Sequence, residues 1–455
     1  MQAQFDLGVF KSYDIRGIYP TQLNDAFAYE FGRGFAAYLI AGSRPGAVLS
    51  VAVGRDMRTS GPALAQAFTR GLTEQGVDVV DVGLVSTDAI YFAVGKYGLD
   101  GGAMITASHN PKDYNGFKLC RSQAIALSAK EGLEEIRATI EGGTYPAPPR
   151  RGSASQREIL EDFALHCLSF VDVAKIKPFK IAIDCGNGMG GKTVPYVFKH
   201  LACQVIPLFF ELDGSFPNHP PSPIEPENMV DVQRAVLENG CDLGVAFDGD
   251  ADRMFVVDEK GELIEGGTVT ALVAENELRK HPGAKILYNL ICSRSVPEWI
   301  ERHGGRPLRS QVGHSLIKAT MRSEDVVFGG EHSGHFYFRD NWYADSGMIA
   351  LLESLEVFSA ANRPVSQVVA PLQQRFQSGE INSTIADIPG KLKEIERTYA
   401  DAKIDHLDGV TVQYGDWWFN VRPSNTEPLL RLNLEADSRA TMERKRDEVL
   451  ALIRS

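Results

Sequence analysis

The sequence predicts an α/β protein: three similar α/β domains with mixed or parallel sheets, then a smaller α+β tail. Three observations carry this. Apolar runs of strand length alternate with helix-period segments through most of the 455 residues, the pattern of a sheet covered by helices. Several of these runs end in short polar loops, as strands do at the carboxyl edge of such sheets. From Val410 onward the order changes to strands followed by one charged helix, which suits a small α+β domain.

In the first unit a helix is expected from Asn24 to Ile40, with Phe27, Phe31, Phe35 and Leu39 at helical spacing. Strands are expected at Ala47 to Val53, Val77 to Val82 and Ala103 to Ile105, with a helix starting at Ser60-Gly61-Pro62. A turn-rich stretch from Gly142 to Pro149 reads as a linker. The second unit opens with a helical segment near Ile159 to Val173, then strands at Phe179 to Asp184, Val205 to Phe210 and Leu243 to Phe247. In the third, strands fall at Lys285 to Leu290 and Val326 to Phe328, with a helix after Gly313-His314. The tail has strand-like Val410 to Tyr414, Trp417 to Val421 and Leu429 to Leu434, and a helix from Ala440 to Ile453.

A net charge of −12 argues against nucleic acid or a membrane surface as the main partner, without excluding a local basic pocket for an anion. The six cysteines contain no C-x-x-C pair, so neither a zinc cluster nor a disulfide framework is expected. No apolar signal region opens the chain and no run of 18 apolar residues follows. The expectation is a cytoplasmic enzyme, monomeric or weakly oligomeric.

Met104 to Lys118 is the stretch where reactive groups concentrate: Ser108, His109 and Lys118 fall in what reads as one polar loop, with Asn110-Pro111 and Asn115-Gly116 as turn dipeptides. A serine beside a histidine in a turn is also a common turn, so the rest of the chain has to give it a task. Asp248, Asp250 and Asp252 supply one. Like charges this close disfavour joint ionisation, and a hard divalent cation resolves the conflict. The spacing also matches an EF-hand loop, but Arg253 stands where glycine is needed and strands rather than helices flank it. An aspartyl-nucleophile phosphatase could use Asp-x-Asp, yet would leave the Ser108 loop unused.

Arg422-Pro-Ser-Asn-Thr-Glu-Pro428 offers a guanidinium, two hydroxyls and an amide within five residues. It reads equally as a phosphate clamp or a hairpin turn. Glu331, His332, Ser333 and His335 mix donors and acceptors as sugar hydroxyls require. Cys185-Gly-Asn-Gly-Met-Gly-Gly-Lys192 could face a phosphate, but its glycines fit no nucleotide fingerprint and a tight turn is the better reading.

Taken together, Thr106-Ala-Ser-His-Asn-Pro111, Asp248-Gly-Asp-Ala-Asp-Arg253, Gly330-Glu-His-Ser-Gly-His335 and the 422–428 loop resemble the α-D-phosphohexomutase superfamily, in its phosphomannomutase/phosphoglucomutase branch. The resemblance implies four domains around a central active-site cleft, with expected boundaries 1–152, 153–260, 261–370 and 371–455. It implies a phosphoryl group on Ser108, and Mg²⁺ held there with Asp248, Asp250 and Asp252. Arg253 would stabilise the transferring phosphoryl, and His109 or Lys118 would be the general acid/base. The phosphosugar substrate would meet Tyr13, Arg16, His314, Glu331, Ser333 and His335, with its phosphate on Arg422, Ser424, Asn425 and Thr426. Glucose 1,6-bisphosphate, or mannose 1,6-bisphosphate, would be the intermediate and activator. In some members a lysine stands where this chain reads Leu290-Ile291-Cys292-Ser293-Arg294, making Arg294 its possible substitute. Within the resemblance, a phosphoglucosamine mutase and a non-catalytic phosphosugar-binding regulator are the alternatives.

Overall fold

The computed structural model describes residues 5–148, 150–424 and 429–455, and of His314 the backbone alone. The chain forms two compact units: Met1–Ile264 with Ser333–Val365, and Glu265–His332 with Ser366–Ser455.

The first unit begins with β1 (Ile15–Ile18), α1 (Asp25–Ala41), β2 (Ser50–Arg55), α2 (Gly61–Glu74), β3 (Asp78–Leu84), α3 (Thr87–Tyr97) and β4 (Gly101–Ile105). It continues through β5 (Tyr114–Arg121), β6 (Ile125–Ala126), α4 (Leu133–Gly142) and β7 (Ala154–Gln156). These strands make a mixed sheet in the order β1-β5-β4-β2-β3-β7, with β6 on β5. The Asn24 side chain accepts the Phe27 N–H and so starts α1. Its Phe27, Phe31 and Phe35 are fully buried. The Phe31 and Phe68 rings stand 5.1 and 5.0 Å from the ring of Phe117 on β5. Removing such a ring would cost about 3–5 kcal/mol.

That aromatic core explains a correction. Lys118 is not in a loop with Ser108: it lies within β5, opposite Met104 of β4. Phe117 faces the core, so strand alternation turns Lys118 to the opposite face. Asn115-Gly116 is likewise inside the strand. A Cβ on Gly116 would stand 1.9 Å from the Ile15 carbonyl oxygen, so the glycine serves close strand approach and not a turn.

A second sheet follows, built from β8 (Lys180–Asp184), β9 (Gln204–Leu208), β10 (Leu243–Phe247), β11 (Met254–Asp258) and β12 (Leu263–Ile264) in the order β12-β11-β10-β8-β9. Its helices are α5 (Leu160–Leu168), α6 (Gly190–Phe198) and α7 (Val230–Asn239). The helix expected to reach Val173 ends at Leu168, because Asp172 caps the Ala174 N–H and starts a separate turn.

In the second unit α8 (Gly266–Lys280), β13 (Lys285–Asn289), α9 (Ser295–Arg302), β14 (Arg306–Ser310), α10 (His314–Glu324) and β15 (Phe328–Gly330) give three parallel strands with helices. The hairpin β16 (Phe336–Phe338) and β17 (Ala344–Asp345) with α11 (Gly347–Ala361) belongs to the first unit. After α12 (Val365–Val369), the second unit closes with β18 (Phe376–Gln377), β19 (Ile381–Thr384), α13 (Ile388–Thr398), β20 (Lys403–Asp405), β21 (Val410–Gln413), β22 (Trp417–Pro423), β23 (Leu429–Ala436) and α14 (Arg439–Arg454). These strands are all antiparallel. All six cysteines are free. No helix among the described residues is long and apolar enough to cross a membrane.

Candidate active site

β4 and β10 end close together in the first unit, and their loops meet. Thr106 Oγ1 accepts the Ser108 N–H at 2.8 Å, and Ser108 sits in the left-handed region with φ 49°. Its Oγ donates to Asp248 Oδ2 at 2.8 Å and lies 3.2 Å from His109 Nδ1. Asp248, Asp250 and Asp252 are buried, and their oxygens fall within 4.8 Å of one another. Asp250 Oδ1 and Asp252 Oδ1 have no hydrogen-bond partner. Buried, unpartnered carboxylate oxygens that converge are what a hard cation needs, so the residues fit a divalent metal. The glycine-rich loop after β8 supports this loop from beneath. A Cβ on Gly188 would come within 2.6 Å of the Gly249 carbonyl oxygen, and one on Gly249 within 2.5 Å of the Ser108 carbonyl oxygen. It is thus a packing turn, as its sequence suggests.

Lys118 reaches across from β5, its Nζ 2.7 Å from Asp250 Oδ2 and 2.6 Å from Asp252 Oδ2. Burial would favour the neutral amine, but Asp250, Asp252 and Asp248 together overcome it and hold the ammonium well above its ordinary range. Burial would likewise raise Asp250; Lys118 and the Thr87 hydroxyl, 2.5 Å away, keep it ionised and low. Asp248 is pushed up by burial and by its two carboxylate neighbours. His109 goes the other way: the Arg253 charge, then burial, hold it neutral. Arg253 Nη2 donates to His109 Nδ1 at 3.0 Å, and its Nε lies 3.5 Å from Asp248 Oδ2.

Arg16 on β1 donates to the Ala107 carbonyl at 2.7 Å and to Asn110 Oδ1 at 2.5 Å, and pairs with Asp14. It borders the Ser108 loop, with Tyr13 half-buried three residues before it. His335 bridges the Arg253 backbone, and its Nδ1 lies 2.8 Å from Asp345 Oδ2. The Ser333–His335 segment therefore belongs to the first unit, whereas Glu331 belongs to the second. Glu331 is buried there, and Asn289 Nδ2 approaches its Oε2 at 3.4 Å and His332 Nδ1 at 2.9 Å.

In the second unit Arg422 Nη2 lies 2.6 Å from Glu380 Oε2, and Arg431 Nη1 3.3 Å from Glu380 Oε1. Arg431 Nη2 also reaches Ser424 Oγ at 3.4 Å. The Asn425 and Thr426 positions lie outside the described residues, as does the His314 side chain at the start of α10. Arg294 spends its guanidinium on the Tyr414 and Gly415 carbonyls, at 2.8 and 3.1 Å.

Thr87, Asp345, Asn289, Glu380 and Arg431 have no counterpart among the expected site residues. Only Thr87 carried a local signal, in the Ser86-Thr87-Asp88 start of α3; each of the others meets an expected residue of its own unit through partners distant in sequence.

The chain matches phosphoglucomutase/phosphomannomutase alpha/beta/alpha domain I over residues 8–146, domain II over 161–261, domain III over 265–376 and the C-terminal domain over 380–452. A phosphomannomutase of Escherichia coli is 41% identical over 461 residues, covering 98% of this chain and 99% of the relative. A phosphomannomutase/phosphoglucomutase of Pseudomonas putida is 38% identical over 445 residues, covering 96% and 94%. A solved phosphoglucomutase/phosphomannomutase family protein of Burkholderia thailandensis superposes with a TM-score of 0.90 at 34% identity, covering 99% of this chain and 98% of the other.

Proposed function

Since the chain belongs to the phosphoglucomutase/phosphomannomutase family of the α-D-phosphohexomutases and is a phosphohexomutase, we propose that it interconverts the 6- and 1-phosphates of mannose and glucose through a phosphoserine at Ser108 and a 1,6-bisphosphate intermediate. The supporting observation is the Ser108 hydroxyl, 2.8 Å from Asp248 within the buried carboxylate cluster. Asp248, Asp250 and Asp252, with the Ser108 oxygen, would hold Mg²⁺. Bound there, it would supply positive charge to the transferring phosphoryl.

The chain's own residues divide the remaining work. When bisphosphate rephosphorylates the enzyme, the Ser108 Oγ–P bond forms as the P–O bond to the sugar breaks. The Oγ proton leaves toward Asp248 Oδ2, to which it donates at 2.8 Å; the Nδ1 of neutral His109 is already taken by the Arg253 N–H. The departing sugar oxygen takes a proton from the Lys118 ammonium, and the reverse transfer retraces both moves. Arg253 adds fixed positive charge beside His109. Arg16 and Tyr13 border the entry to Ser108; Glu331 and Ser333 read the sugar hydroxyls in either orientation. Arg422, Ser424, Asn425 and Thr426 grip the phosphate that is not reacting, and His314 contacts the phosphosugar. His335 positions the Arg253 strand. The domain boundaries near residues 152, 260 and 370, a cytoplasmic setting and a monomeric or weakly associating enzyme belong to the same reading.

The test is a coupled assay with glucose 1-phosphate, mannose 1-phosphate and glucosamine 1-phosphate, each with a trace of glucose 1,6-bisphosphate. Turnover of the first two, lost in Ser108→Ala, is the expected result. Preference for glucosamine 1-phosphate would reassign the substrate. No turnover of any, with Ser108 shown phosphorylated by intact mass, would refute the mutase mechanism.

A further inference from the structure

We propose that Arg58 is a positioning residue for phosphoryl transfer: its guanidinium, folded into the loop that carries Ser108, fixes where the serine oxygen stands. This rests on Ser108 being the residue phosphorylated. The Arg58 side chain is 0% exposed, in a region where a charged group this deep calls for a reason.

Both terminal nitrogens serve one loop. Nη2 donates to the carbonyl of Ser108 itself at 2.8 Å and to that of Asn110 at 2.6 Å. Nη1 donates to the carbonyls of Pro111 at 2.6 Å and Tyr114 at 2.9 Å. Nε faces Asp56 Oδ2 at 3.3 Å, and Asp56 Oδ1 accepts the Arg58 N–H at 3.0 Å, which fixes the side chain at its root. From the loop that follows β9, Phe216 lays its ring 5.1 Å from the guanidinium carbon. Gly214 packs so tightly that a Cβ there would stand 2.7 Å from the Arg58 Cα.

Only a planar fork can satisfy four carbonyls that face different ways; an ammonium has three donors and no plane. The loop needs such a brace. Ser108 is a non-glycine residue at φ 49°, a conformation that persists only where the surroundings over-determine it. Its carbonyl is pinned between Arg58 on one side and the Gly249 backbone on the other. Arg58 touches no reacting atom in this arrangement: it acts on the serine through the serine's own peptide. It therefore governs the reaction at Ser108 and leaves phosphosugar capture at Arg422 untouched.

The deciding experiment compares Arg58→Lys with the unaltered enzyme in steady-state assays. In parallel, intact mass follows the rate at which glucose 1,6-bisphosphate phosphorylates Ser108. That rate and kcat should fall together by roughly 10²-fold, the usual effect of a misplacement near 1 Å. KM should stay within about twofold, because binding is not what was altered. Should Arg58→Lys fail to fold by circular dichroism, Asp56→Asn takes its place. It keeps the guanidinium but removes the carboxylate charge that anchors it, and a kcat-selective loss of about tenfold is expected. A rise in KM at constant kcat, or a phosphorylation rate equal to that of the unaltered enzyme, overturns the proposal. An unaltered protein that interconverts no hexose phosphate overturns the mutase reading instead, before Arg58 comes into question.

Discussion

Replacing Lys118 with methionine tests the charge balance at the candidate metal site directly. The ammonium stands 2.7 and 2.6 Å from two buried carboxylates. At an effective dielectric constant near 20, each contact has a gross Coulomb attraction of about 6 kcal/mol. Desolvation cancels much of this, and removing one member of a buried pair costs about 3–5 kcal/mol in practice. In Lys118→Met without divalent metal, three carboxylates share a pocket with no ammonium between them. The first unit should then melt about 5–8 °C lower than in the parent. Millimolar Mg²⁺ should recover most of the loss, so the variant gains more from the ion than the parent, which already holds a cation there. Thermal unfolding of both proteins in EDTA and in MgCl₂, followed by circular dichroism, reads both effects. Equal melting in EDTA, or equal gains from Mg²⁺, would refute the reasoning: Lys118 would then not be the counter-ion of this cluster.

The partners of Glu380 and Asp88 lead to two further outcomes. Glu380 occupies the fork between Arg422 and Arg431 with a side chain 25% exposed, where an incoming phosphate must compete with it. Glu380→Gln should lower KM for glucose 1-phosphate about fivefold, the equivalent of roughly 1 kcal/mol for a partly exposed pair; a raised KM would show instead that Glu380 holds the two arginines in place. Asp88 is pushed up to about 7 by burial, against the Ser346 and Ser86 hydroxyls that donate to it. Its folded value lies above the ordinary 3.8, so the folded state keeps a proton that the unfolded chain has lost. That stabilisation is complete below about pH 4 and disappears as pH rises through about 7. Asp88→Asn has no such proton, so its melting temperature relative to the parent should rise between about pH 4 and pH 7 and level off above; a constant difference would contradict the assignment.

What the sequence made legible follows from how local each signal is. Asp248, Asp250 and Asp252 lie side by side on the chain, and their mutual repulsion announces a cation before any fold is known. The aromatic spacing of α1 announces its buried face in the same way. Lys118 was misplaced because Asn115-Gly116 is a turn signal in the statistics of short peptides. Here the glycine is demanded instead by the Ile15 backbone, a partner some hundred residues away that the local pattern cannot show. Arg58 has the same difficulty in stronger form: one buried arginine near a helix start looks like any other until its four carbonyl partners are in place. Glu380 and Arg431 come beside Arg422 only through the strand pairing of the last sheet.

The division of the first unit into Met1–Ile264 and Ser333–Val365 bears on how the protein is made. Asp345 and Ser346, which lie against His335 and Asp88, leave the ribosome long after the aspartate loop they support. At ordinary rates the delay is about 5 to 20 seconds. During that interval the nascent chain carries its most acidic cluster without its final packing, while all of the Glu265–His332 segment is still emerging. Lys118 and Arg253 are already present to balance the loop's charge, so what it lacks in that interval is the cover of the Ser333–Val365 segment. A synonymous pause late in the Glu265–His332 segment, once the loop has cleared the ribosomal tunnel, should lengthen that exposure, and one near the end of the chain should not.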